Sequence, residues 1–175
     1  MGSTDDWLKT LDLKVTVETL SDGNLARSAQ LFNKTNQLNM ATRRLLESEL
    51  KAWAGGSGRK VWTFSVADRF GNSGLTGMCS VEIGQGRARI VDFLLSCRVM
   101  GRKVEQAMLH VAVGHARSNE VNEVHAQFVA TERNGPCLSF WNEQSAFAVR
   151  PDGLFVWDAS QAYPLPDAIT LVGTP

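Results

Sequence analysis

Between residues 87 and 116 the chain changes its hydrophobic period, and that change restricts the architecture more than any other feature of the sequence. The stretch "RARIVDFLLS" (87–96) reads as a strand. From Val104 onward, Ala107, Met108, Val111, Ala112 and His115 fall on one side of a 3.6-residue period, which predicts a long helix. "EVHAQFVA" (123–130) then reads as a strand again. A strand, a long helix and a strand in this order predict parallel neighbours joined by a crossover. Upstream, "KVWTFSVAD" (60–68) and "LTGMCSVEI" (75–83) are joined by "RFGNSG", and "GQG" leads on into 87–96. Turns this short predict an antiparallel meander. A meander feeding a parallel crossover requires a mixed sheet in an α+β or mixed α/β domain, with about six to seven strands and helices on both faces.

The remaining segments fit around that sheet. "LKVTVE" (13–18) alternates as a strand, and "LARSAQLFNKTNQ" puts Leu25, Ala29 and Phe32 on one helical face. A second short helix is expected over 46–54, with Leu46, Leu50 and Trp53 in one stripe. A short helix "PCLSFWNEQ", the strands "AFAVR" and "LFVWDA", and an extended proline-bearing tail close the chain. Residues 1–11 read as a linker-like lead anchored by Trp7, and 12–175 as one domain, since 175 residues at 43% hydrophobic content suffice for a single core.

Charge and cysteine usage exclude several classes. Eighteen basic residues balance eighteen acidic ones, which argues against broad binding to nucleic acid or membrane. Cys79, Cys97 and Cys137 are few, widely spaced and odd in number, so they read as free thiols of a reducing compartment. The histidines at 110, 115 and 125 lack the spacing of a HExxH site, so no metal is expected. With no apolar run of membrane-span length and no signal-peptide core, the expected location is cytoplasmic.

The junction between strand and helix carries Arg98, Gly101, Arg102 and Lys103. Helix N-termini leave backbone N–H groups unpaired and bear the positive end of the macrodipole. Glycine and basic side chains at such a place suit a phosphate group, although the same residues also suit a solvated turn.

In this setting, the meander, the R-x-x-G turn, the amphipathic helix, the parallel strand and the N-x-P before an aromatic helix resemble the Gcn5-related N-acetyltransferase fold. That resemblance implies a pair of splayed parallel strands with a pantetheine arm in the cleft between them. Leu94, Leu95, Asn134 and Phe140 would line it, and the turn Arg98-Val99-Met100-Gly101-Arg102-Lys103 would hold coenzyme A phosphates. Lys103 replaces the usual small residue, and a lysine suits the one phosphodiester of a carrier-protein arm better than a pyrophosphate. The stretches "QLFNKTNQLNMATRR" (30–44), "VWTFSVADRFGNSGLTG" (61–77), "DFLLSCRVMGRKVEQAML" (92–109) and "TERNGP" (131–136) more closely resemble the C-terminal half of FkbH-like proteins of polyketide pathways. The family's other half is a haloacid-dehalogenase-type phosphatase domain with a D-x-D-x-T motif, which this sequence lacks. The resemblance implies a glyceryl thioester on an acyl carrier protein, used as an extender unit, with coenzyme A or protein-bound 4'-phosphopantetheine as the thioester ligand.

The other candidate residues follow from their chemistry. Asn33, Thr35, Asn36, Gln37 and Asn39 offer hydrogen bonds to a polar acyl group or arm, or to their own loop. Arg43 and Arg44 suit the acidic surface of a carrier protein, or simply solvent. Asp92 shares a face with Leu94 and Ser96 and is a candidate general base, with a structural salt bridge as the alternative. Cys97 lies beside the expected thioester path, but an inert buried thiol is the favoured reading. Trp141 stands where related enzymes often place an acidic tyrosine, and an indole N–H cannot act as a general acid near neutral pH. Two functions therefore remain open: an acyltransferase acting on a pantetheine thioester, and a docking module for a carrier protein without catalysis of its own.

Overall fold

The order of elements follows the changes of hydrophobic period, and the sheet they build is wider than those periods announce. The computed structural model describes residues 2–175. The elements are α1 (Thr4–Thr10), β1 (Leu13–Thr19), α2 (Leu25–Lys34), β2 (Leu38–Asn39), α3 (Glu47–Ala54), β3 (Arg59–Asp68), β4 (Gly71–Gly84) and β5 (Arg87–Leu95). After a 3₁₀ turn at Cys97–Val99 come α4 (Val104–Ser118), β6 (Glu123–Ala126), α5 (Gly135–Glu143), β7 (Ala148–Val149), β8 (Phe155–Asp158) and β9 (Ile169–Val172). The nine strands form one mixed sheet in the order β7-β8-β6-β5-β4-β3-β1-β9, with β2 added on β5. The meander β3-β4-β5 is antiparallel, and β5 and β6 run parallel as the crossover requires.

Two apolar layers fix the helices to the two faces. On one face α4 buries Val104, Met108, Val111 and Ala112 against Val81, Ile90, Phe93 and Val124. Removing each side chain of this size from water contributes roughly 1.5–3 kcal/mol. On the other face Leu31 and Phe32 of α2 and Leu50 of α3 cover Val61, Met78 and Leu94. No helix among the described residues is long and apolar enough to cross a membrane.

Three local features depart from the sequence reading. The lead is a helix: Ser3 and Asp6 form a reciprocal capping box at 3.2 and 3.1 Å, which satisfies N–H groups at its start. Its anchors are the buried Leu8 and Leu11, whereas Trp7 is 54% exposed. Leu46, expected in the α3 stripe, is also exposed, because it lies just before the first turn. Finally, β6 stops at Ala126, since residues 127–130 pair with something other than β5.

Candidate functional site

Residues 87–90 of β5 pair in parallel with 123–126 of β6, and beyond Ile90 the two strands separate. The gap they leave is filled by the chain itself. Leu38 and Asn39 pair antiparallel with Leu95 and Leu94, on the edge of β5 opposite β4. The amide of Met40 donates to Phe93 O at 3.0 Å, and the amide of Val129 donates to Met40 O at 3.0 Å. The strap 37–40 is thus hydrogen-bonded to β5 on one side and to the continuation of β6 on the other.

Asparagines hold the strap in place. Asn134, fully buried, donates through Nδ2 to Asn39 O (3.0 Å) and Val129 O (2.8 Å), and its Oδ1 accepts from Thr131 N (2.7 Å). Asn39, also buried, donates to Thr35 O at 3.1 Å and accepts from Thr42 N at 2.9 Å. Asn33 donates to Ala29 O (2.8 Å) and Leu45 O (3.0 Å). Of the amide-rich loop, Asn33 and Asn39 are therefore spent on their own backbone. The backbone edges of Leu94 and Leu95, expected beside a pantetheine arm, are used by β2.

Asp92 and the two arginines have structural partners. Asp92 is 1% exposed, and both its carboxylate oxygens are held by Arg43, with the Nε–Oδ1 bond at 2.9 Å. Ser80 Oγ donates to Asp92 Oδ2 at 2.6 Å and accepts from Asp92 N at 3.0 Å. A carboxylate so buried and so paired fits the structural salt bridge rather than a general base. Arg44 closes the C-terminal end of α2, donating to Phe32 O, to Thr35 O at 3.1 Å and to Asn36 Oδ1 at 2.5 Å.

Two of the three cations of the basic turn have carboxylate partners. Arg102 pairs with Asp68 at 2.9 Å, and Lys103, in left-handed conformation at φ 64°, pairs with Asp5 of α1 at 2.6 Å. The amide of Gly101, the donor a phosphate would use, donates to Glu105 Oε1 at 2.9 Å. Glu105 is buried, and burial raises its pKa from the ordinary glutamate value. Val99 is buried in the core and Met100 packs against it. Within 101–103, the Gly101 amide is thus taken by Glu105, and the two cations by Asp68 and Asp5.

The aromatic helix is core. Trp141 is fully buried among Phe93, Phe140, Phe147 and Phe155, and Phe140 stacks on Phe93. Neither faces a cleft, which corrects their placement beside substrate and cofactor. Tyr163, the single tyrosine of the sequence, is also buried, with its hydroxyl donating to Ser145 O at 2.8 Å.

The candidate residues that do converge lie at the end of β5. A groove of about 330 Å³ is lined by Arg27, Leu31, Lys34, Thr35, Asn36 and Gln37 from the α2 side, and by Leu95, Ser96, Cys97 and Arg98 from the β5 side. None of Arg27, Lys34 and Arg98 takes part in an ion pair among the described residues, and no carboxylate lines the groove. Ser96 Oγ accepts from Arg98 N at 3.4 Å, which turns the chain outward. Cys97 is exposed, whereas Cys79 and Cys137 are buried. Burial raises the Cys79 thiol far above its ordinary value and pushes Cys137 up to about 12. Cys97 is thus not the buried thiol expected from the sequence. Arg27 and Lys34 were not among the sequence candidates; the signal that could have found them is their seven-residue spacing, which puts two cations on one helical face.

No family model matches the sequence, and a search of curated proteins finds no match. Solved structures do match. The ribosomal-protein-S18-alanine N-acetyltransferase of Escherichia coli superposes with a TM-score of 0.58 at 10% identity, covering 85% of this chain and 96% of that one. The GNAT domain of S. lividans PAT gives 0.61 at 14% identity, covering 81% and 89%. Spermidine N-acetyltransferase from Vibrio cholerae, solved with CoA and spermine, gives 0.60 at 15% identity, covering 83% and 96%. Together with the mixed sheet and its separating parallel pair, these likenesses establish that the chain has the Gcn5-related N-acetyltransferase fold.

Proposed function

We propose that this domain is an acyltransferase acting on a pantetheine thioester, carried by an acyl carrier protein in polyketide-type metabolism, and that the thioester meets it at the basic groove rather than between the parallel strands. The observation that carries this reading is the groove itself, where an exposed thiol lies with three cations that have no ionic partner. The strap 37–40 takes the edge of β5, so an arm reaches the end of that strand from outside. Arg27, Lys34 and Arg98 suit its phosphodiester, since arginine and lysine bind phosphate through charge-assisted hydrogen bonds. Asn36 and Gln37 suit the amides of the arm, or the hydroxyls of a glyceryl group. The likeness to acetyltransferases solved with coenzyme A supports thioester chemistry, and the FkbH-like resemblance supplies the glyceryl group and the carrier protein.

Cys97 is the nucleophile the lining offers. Its sulfur attacks the thioester carbonyl, a new carbon–sulfur bond forms, and the bond to the pantetheine sulfur breaks. The thiol proton goes to the departing thiolate, so the exchange balances without a further reactant. A phosphatase domain of the haloacid-dehalogenase type would then act as a separate partner.

A second reading is favoured by the internal pairing of Asp92 and by the burial of Trp141 and Tyr163: the groove docks a carrier-protein arm and does no chemistry. Intact-protein mass spectrometry after mixing with an acyl carrier protein separates the two. Acyl mass on the wild type, absent in Cys97→Ala, is the expected result. Binding by calorimetry without any adduct supports docking alone, and neither binding nor adduct defeats both. Arg98→Ala is expected to weaken binding about tenfold to a hundredfold.

A further inference from the structure

The other end of β5 carries a feature that the groove at Cys97 does not use. On the sheet face opposite α4, the buried contacts of α2 and α3 are at Val61, Met78 and Leu94, with Trp53 of α3 against Arg59, and the face beyond is exposed at Arg87 and Arg89. Strand register places charged side chains across this open face. Arg59 is opposite Glu82, Glu82 opposite Arg89, and Arg89 opposite His125, in a row over four strands. In the next row Gly84 is opposite Arg87, and Arg87 opposite Glu123. Residues two apart on a strand share a face about 7 Å apart, so Arg87 and Arg89 flank one spot. Because Gly84 has no side chain, that spot is a hollow of about 320 Å³, lined also by Ser57 and Gln85.

The charges do not balance there. Glu82 is shared between Arg59 (2.7 Å) and Arg89 (3.3 Å), and Glu123 is taken by Arg150 (2.6 Å). Arg87 has no ionic partner among the described residues. His125 Nδ1 is buried without a hydrogen bond, as is Glu123 Oε1.

We propose that this hollow is a second site, which binds the phosphoryl group of a small phosphate ester between Arg87, Arg89 and the imidazole of His125. Two guanidinium forks and an imidazole suit a tetrahedral dianion, and the volume leaves room for a few further heavy atoms. Desolvation, with Arg87, Arg150 and Arg89 against the opposing Glu123, lowers the pKa of His125. A bound dianion favours the imidazolium, so binding is read directly as a rise in that pKa.

The test is a proton NMR titration of the three histidines with inorganic phosphate and with ethyl phosphate, at ionic strength held constant with sodium chloride. Saturable shifts and a raised pKa at His125, with His110 and His115 unchanged, are the expected result. Arg87→Gln, a change at an exposed and unpaired residue, should weaken binding about tenfold. Gly84→Val should block the hollow. An added Cβ there meets nothing within 4 Å and the backbone is not left-handed, so the fold tolerates the change. A linear response, an equal response to chloride, or shifts unchanged in both variants would overturn the site. Stronger binding to phosphatidic acid vesicles than to ethyl phosphate would replace the small ester with a lipid surface.

Discussion

Arg43 grips both carboxylate oxygens of Asp92 across 49 residues of sequence, fastening the loop after the strap to the middle of β5. Asp92 is 1% exposed and also bound to Ser80, so this pair is part of the scaffold. Asp92→Asn is expected to lower unfolding stability by about 3 kcal/mol, because Arg43 loses its counter-charge. Urea denaturation of Asp92→Asn, Arg43→Ala and the double variant checks this. A stable Asp92→Asn protein with reduced turnover alone would return Asp92 to the role of a base.

The strap depends on Asn134. Asn134→Ala leaves Val129 O without its side-chain donor and Asn39 O with only the long 3.4 Å bond from Thr42 Oγ1, at a cost of roughly 2–3 kcal/mol. Hydrogen exchange should accelerate first at the amides of Met40 and Val129, which bond Phe93 O and Met40 O. Protection unchanged at those two amides would mean that the strap is held by β5 alone.

Lys103→Gly is expected to stabilise the protein. A non-glycine residue at φ 64° carries a conformational cost of about 1–2 kcal/mol. The half-exposed ion pair with Asp5 returns about 0–1 kcal/mol and is screened by salt. The gain in thermal stability should therefore grow from low salt to 1 M sodium chloride. Carrier-protein binding should stay unchanged, since Lys103 is turned toward α1.

Glu105 gives a pH signature of defined sign. Burial raises its folded pKa above the ordinary 4.5, so its contribution is fully present below that value and is lost as pH rises through the raised pKa. Glu105→Gln keeps an acceptor for Gly101 N–H but never ionises. The variant's stability relative to wild type should therefore rise as pH increases above about 4.5 and then level off. A flat difference across that range, measured by chemical denaturation, would show that the helix N-terminus fully offsets burial.

The sequence by itself determined the meander, the long helix and the parallel crossover, because each is written in a local period of apolar residues. Val104, Met108 and Val111 face the sheet as their spacing requires, and β3, β4 and β5 begin and end within a few residues of their turn signals. The resemblance carried by 92–109 led to the same fold. Tertiary structure alone decided what the polar residues do. A strand of two residues, Leu38–Asn39, has no period to read, and it exists because β5 and β6 separate beyond Ile90 and leave backbone groups to satisfy. Arg43, Arg102 and Lys103 read alike as surface cations, yet each found a carboxylate brought near by packing of distant segments. Arg27, Lys34 and Arg98 did not, and that difference in partners, invisible along the chain, is what sets the groove beside Cys97 apart.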